Sequence, residues 1–196
     1  MNGWTPGVTA YGDPVDPNDA RELAQRLLAA DLPRRWTHVC AVATKAASVA
    51  EQLQLPPDVL VSAAWLHDIG YAKQVASTGF HPLDGARYLR ELRVDERVIS
   101  LVAHHSAAAL EADVRGLRAE LLGEFERHPG VLSDALAYCD MTTGPDGESL
   151  QVGERLTEIR ARYGEDHPVT RFINHAENTI RSEVGRTEDR LQHRFG

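Results

Sequence analysis

The chain has 196 residues, 42% hydrophobic and 26% charged, with a formal net charge of -8. That length suits one domain with a substantial core, and the acidic balance argues against sequence-independent binding to a nucleic-acid backbone or an anionic membrane. Cys40 and Cys139 make no disulfide framework, no leader pattern opens the chain and no apolar run spans a bilayer, so we expect a cytoplasmic protein.

Residues 1–18 are rich in Gly, Pro and Asp and read as an irregular arm. Asp19 with Glu22 fits a capping box, and Leu23, Leu27 and Ala30 give helical spacing up to Leu32-Pro33. A second helix is expected from about Trp36 to Gln54, with Thr44, Ser48 and Glu51 wet and Val39, Ala43, Ala46, Ala50 and Leu53 opposite. His38 lies on the flank of that apolar arc, a half-buried position. Pro56-Pro57-Asp58 starts a third helix, whose run from Val59 to Ile69 is apolar apart from Ser62, His67 and Asp68. An unpaired carboxylate in so apolar a segment is costly. A pair satisfied by backbone and water, or a bound cation, would each remove that cost.

After Gly70, a loop with Lys73 and Gly79 leads to Phe80-His81-Pro82, where Pro82 suits the first turn of a helix through Leu92. His81 then sits just outside a helix N-terminus. From about Asp95 to Ala109, Val98, Leu101, Val102 and His105 recur at i, i+3, i+4 and i+7, so His105 faces the core. His104 lines up with Arg97 and Ser100 on the polar side. Residues 112–130 are polar around a short helix, Leu117 to Phe125. Ser133 caps a helix through Met141 in which Leu136, Ala137 and Asp140 share a face, and a turn-rich loop follows from Thr142 to Gly147. Two last helices, one striped by Val152, Leu156, Ile159 and Tyr163 and one by Val169, Phe172, Ile173, Ala176 and Ile180, read as structural. Beyond Arg181 the chain is charged and is expected to fray. With no strand pattern and no internal repeat, the expected fold is all-α: a single-domain helical bundle over residues 19–181, between the arm and a charged tail at 182–196.

Periodicity thus sends His38, His67, Asp68, His81, His105 and Asp140 inward. One buried histidine is usually structural. Four imidazoles and two carboxylates on five segments favour bound metal, because an all-α core leaves few backbone groups free to satisfy them. The order His38, His67-Asp68, Asp140 resembles the HD-domain superfamily of metal-dependent phosphohydrolases over roughly residues 34–143, and His67-Asp68-Ile69-Gly70 is a frequent form of its central motif. The resemblance implies that His38, His67, Asp68 and Asp140 are the four core metal ligands. Phe80-His81-Pro82 and His104-His105 resemble the extra histidines of dinuclear members, which include a bacterial class cleaving diadenosine-type bis-nucleotides. By that resemblance His81 and His105 complete a second metal, with Asp68 bridging the two.

Two departures narrow the match. The cyclic-dinucleotide phosphodiesterase branch carries Gly-Tyr-Pro after its paired histidines, whereas Ser106-Ala107-Ala108 stands here. Many members place lysine directly after the motif glycine; here Tyr71 is there and Lys73 lies two further on.

An imidazole-rich site favours Fe or Mn, with Co, Ni and Zn also suited, over Mg. Two such ions sharing a carboxylate would hold an activated hydroxide near neutral pH and clamp a phosphoryl oxygen. The expected activity is therefore hydrolysis of a phosphate ester or anhydride of a small substrate, a nucleotide. Asp68 and Lys73 are the candidate catalytic residues, and Arg34, Arg35, Thr142 and Thr143 the candidate substrate contacts. Solvated surface charge is an equal reading of Lys73, Arg34 and Arg35. The competing activity is that of diiron HD-domain oxygenases acting on a phosphonate or polyol-type substrate. The phosphonate enzyme places a substrate-binding lysine one turn after the ligand matching His105, where this chain has Ala109. A non-catalytic binding module would lack ligands, and none of the four core ones is missing.

Overall fold

A computed structural model describes residues 15–193, so the arm expected at 1–18 lies, up to residue 14, outside the described residues. The first helix, α1 (Pro17–Leu28), begins earlier than the capping-box reading allows. Its N-cap is Asp16, not Asp19: the Asp16 carboxylate accepts the Asn18 N–H at 2.7 Å, and Pro17 supplies a first-turn φ with no N–H to satisfy. After Leu32 the chain re-enters helix at Pro33 to form α2 (Pro33–Leu53), which ends on Gln54 in the left-handed region at φ 53°.

The apolar run predicted around Leu60 becomes α3 (Pro57–Leu66). Seven of its ten residues are buried, and it packs against α1 and α2 and against two helices further along the chain. It is the axis of the main core. The helix stops at His67, and Asp68 leads into a 3-10 turn, Ile69–Tyr71. Gly70 is required there: a Cβ would sit 2.0 Å from the His81 carbonyl oxygen. That backbone contact seats the start of α4 (His81–Glu91) against the His67-Asp68 doublet. The loop between them is tied down by Asp84, whose carboxylate accepts the N–H groups of Ser77, Thr78 and Gly79 and the hydroxyls of Ser77 and Thr78 at 2.8–3.1 Å.

The single helix expected from Asp95 to Ala109 is broken. Helix α5 (Glu96–His104) gives way to a tight turn at His105–Ala107, with Ser106 at φ 48° and Ala107 at φ 61°, before α6 (Ala108–Arg115). Next, α7 (Arg118–Glu124) leads into a segment that covers the side of α5 read as polar. Ser100 Oγ donates to Glu126 O at 2.8 Å and His104 Nε2 to Phe125 O at 2.9 Å, so both are buried. His104 is therefore enclosed rather than on the surface.

Helix α8 (Val131–Met141) starts from Gly130, and Ser133, expected as the cap, sits at its third position with its hydroxyl accepting the Gly130 N–H. Helices α9 (Val152–Tyr163) and α10 (Pro168–Gln192) enclose a second apolar cluster around Leu156, Phe172, Ile173, Ala176, Ile180 and Val184. The stretch expected to fray beyond Arg181 is helical to Gln192. Val184 and Thr187 are fully buried against α8, and Arg186 and Arg190 converge on the buried Asp134 carboxylate at 2.5–2.9 Å. Charges in the stretch expected to fray thus help to hold this helix down. Among the described residues there is no strand, only a single bridge between Thr143 and Ser149, and no helix long and apolar enough to cross a membrane. The fold is all-α.

Candidate metal centre

His38 comes from the second turn of α2, His67 and Asp68 from the end of α3, His81 from the start of α4, His105 from the break after α5, and Asp140 from the last turn of α8. The fold brings all six together. Ligand-capable atoms of His38, His67 and Asp140 lie within 4.8 Å of one another, and so do those of Asp68, His81 and His105. Asp68 stands between the two groups. Its Oδ2 is 3.4 Å from His67 Nε2 and 3.9 Å from His38 Nε2, while its Oδ1 is 3.4 Å from His81 Nε2. Asp140 Oδ1 is 3.1 Å from His38 Nε2 and 4.0 Å from His67 Nε2, and the Nε2 atoms of His81 and His105 face each other at 3.1 Å. The half-buried position expected for His38 is in fact closed, because Gly144 and Gly147 of the loop after α8 lie over the start of α2.

The proton positions carry the chemistry. His67 Nδ1 lies 2.8 Å from Ala64 O, His105 Nδ1 2.7 Å from Val102 O and His38 Nδ1 3.0 Å from Gly144 O. A carbonyl can only accept, so each Nδ1 carries hydrogen, and each neutral ring points an Nε2 lone pair inward. His67 Nε2 is buried with no hydrogen-bond partner. Lone pairs thus face carboxylate oxygens at the buried inner end of a cavity, an arrangement that only a proton or a cation between them makes favourable. Without a metal, protons fill that role in part. Burial disfavours the His67 cation, but Asp68 and Asp140 outweigh it and push its pKa up to about 9. Burial holds His81 and His105 neutral, His81 well below its ordinary value. Burial opposes ionisation of Asp68 and Asp140 too; Arg35 and His67 for the first, and His38 and His67 for the second, nevertheless hold both below the usual carboxylate range. Backbone-anchored imidazoles around anionic carboxylates fit a divalent transition metal.

The other sequence candidates divide. Arg35 reaches the centre: its Nη1 donates to Asp68 Oδ2 at 2.7 Å, and its guanidinium lies over the Tyr71 ring at 4.1 Å. Tyr71, directly after the motif glycine, stacks on His81 with centroids 4.1 Å apart. Lys73 is exposed on the loop and does not line the cavity beside the centre. Arg34 is tied in an exposed pair to Asp146 at 2.8 Å. Thr142 and Thr143 turn their hydroxyls back onto the Tyr138 and Cys139 carbonyls, ending α8 rather than facing a substrate. Lys45 Nζ binds the Thr142 carbonyl at 2.6 Å. Ser106, noted in the sequence only as a departure, donates to Asp140 Oδ2 at 2.5 Å, which its left-handed backbone makes reachable. Nothing in periodicity signals such a contact.

The model of the HD domain family matches residues 35–140, more than half of the chain, and its span runs across the segments that carry all six clustered side chains. Neither curated proteins nor solved structures give a match. The family match and the clustered histidines and aspartates agree, and the chain belongs to the HD-domain family, whose members are mostly metal-dependent phosphohydrolases.

Proposed function

We propose that this chain is a phosphohydrolase that cleaves a phosphate ester or anhydride of a nucleotide, using two divalent transition-metal ions, Fe or Mn, held by His38, His67, Asp68, His81, His105 and Asp140. The observation that supports it best is Asp68, one buried carboxylate with an oxygen facing each of two donor groups. Metal ions bound there would acidify a water and polarise a phosphoryl oxygen.

The chain's own part is orientation. Arg35 fixes the Asp68 carboxylate plane through Oδ2, and Ser106 occupies Asp140 Oδ2 so that Oδ1 turns to His38. The bonds from Nδ1 to backbone carbonyls set the ring planes of His38, His67 and His105 before any ligand arrives. Arg35 is also the nearest guanidinium to a phosphoryl group at Asp68. An apolar flank of Val169, Phe172 and Ile173 in the same cavity gives the organic part of a substrate a dry surface, which suits a nucleoside.

Phosphate release from a nucleotide panel by manganese- or iron-loaded protein tests this reading. Release is expected, with an Asp68→Ala loss of more than about a hundredfold. Oxygen uptake by the iron-loaded protein on a phosphonate panel, with no phosphate released from nucleotides, would overturn it in favour of the oxygenase.

A further inference from the structure

Helix α9 lies outside the family match, yet it walls the cavity beside the metal centre. Arg155 and Arg162 of that helix border this cavity together with Arg35, and the same three arginines border the adjoining cleft next to Arg34 and His38. Arg155 is only 4% exposed. Its Nη1 donates to Glu158, while its Nε is buried with no partner. Arg162 Nε leans on the same Glu158 at 3.4 Å. One carboxylate therefore touches two guanidiniums, and Arg162 has beyond it only the Tyr163 ring, at 4.9 Å, and the more distant charge of Asp146.

A guanidinium this buried, sharing one carboxylate with a second guanidinium at the edge of the same cavity, is better compensated when an anionic acceptor enters beside it. The group that supplies both negative charge and paired acceptors in a guanidinium's geometry is an oxyanion. The scissile phosphoryl group is already provided for at Asp68. We propose that Arg155, with Arg162, binds a second anionic group of the substrate, so that the enzyme's substrates carry two phosphate-like groups on a short linker. This rests on the phosphohydrolase reading, since it takes the first group to be held at the metal centre.

The test is calorimetric titration of manganese-loaded protein, its metal content checked by elemental analysis, with inorganic phosphate and with non-hydrolysable methylenediphosphonate. The diphosphonate is expected to bind at least about tenfold more tightly than phosphate, the scale of one charge-assisted contact. Arg155→Gln is expected to remove most of that advantage, and Arg155→Lys to restore part of it. Should Arg155→Gln fail to fold, Arg162→Gln, at a more exposed position, is expected to narrow the same ratio. Loaded wild type with equal affinities, or variants that keep the full advantage, would overturn the second anion site and leave the metal centre standing. Protein that takes up neither manganese nor iron would instead overturn the phosphohydrolase reading, and this inference with it.

Discussion

His67 confronts Asp68 across 3.4 Å with a nitrogen whose ring already gives its one neutral-state hydrogen to Ala64. In metal-free protein the pair is reconciled by a proton, which is why the His67 pKa rises from 6.5 to about 9. The sign follows. His67 contributes stability to the metal-free fold that is fully present below about pH 6.5 and is lost as pH rises through about 9. Metal binding must displace that proton, so affinity runs the other way. Between pH 6 and 8, manganese affinity is expected to climb about tenfold per unit for one displaced proton, with proton release visible in buffers of different ionisation enthalpy. Affinity flat across that range would remove His67 from the ligand set. Gly70 offers a second check at this scale. In Gly70→Ala the new methyl meets the His81 backbone, so His81 must move; a stability loss of about 2 kcal/mol or more and lower metal content are expected, read by thermal unfolding and elemental analysis. The inward sorting of His105 was legible, since helical spacing suffices for it. The burial of His104 was not, because it depends on the segment after α7, some twenty residues away, folding across a face that looks polar in isolation.

Among the elements, two departures from the local sequence pattern have a common cause. A charged stretch after Arg181 looks solvated, but its acids and bases are spaced so that Arg186 and Arg190 meet Asp134 while Val184 and Thr187 turn inward. A regular apolar spacing through Ala109 looks continuous, but the chain turns at Ser106 and Ala107 to bring a hydroxyl to Asp140. Both outcomes are decided by partners on other helices, which local pattern does not contain. Helix α10 also carries Glu183, where burial outweighs Arg127 and lifts the carboxyl from 4.5 to about 7. Its folded form binds a proton that the unfolded chain gives up, so stability falls as pH rises from about 4.5 to about 7 and stays reduced above it. That gap corresponds to at most about 3 kcal/mol. Glu183→Gln is therefore expected to be more stable than wild type at pH 8 and nearly equal to it at pH 4.5, by thermal unfolding at the two values. An identical difference at both pH values would show that ionisation of Glu183 has no part in it.

For the molecule as a whole, the all-α class and the order of the chemistry-bearing segments could be read directly, because His38 and Asp140 sit on helices with apolar faces and the His67-Asp68 doublet closes an apolar helix. The substrate side could not. Arg35 and Arg155 border one cavity although 120 positions separate them (155 − 35), and α9 shows in sequence only an apolar stripe. The family match likewise ends at residue 140, short of that wall. What the whole account depends on is the sharing of one carboxylate by two metal ions. Elemental analysis after dialysis against manganese, on wild type and Asp68→Ala side by side, tests this most directly. The account predicts two ions per folded chain in the wild type, one for each donor group, and loss of both in the variant. Wild type that holds no manganese, and no iron after the same dialysis against iron, or a folded variant that holds as much as wild type, would contradict it.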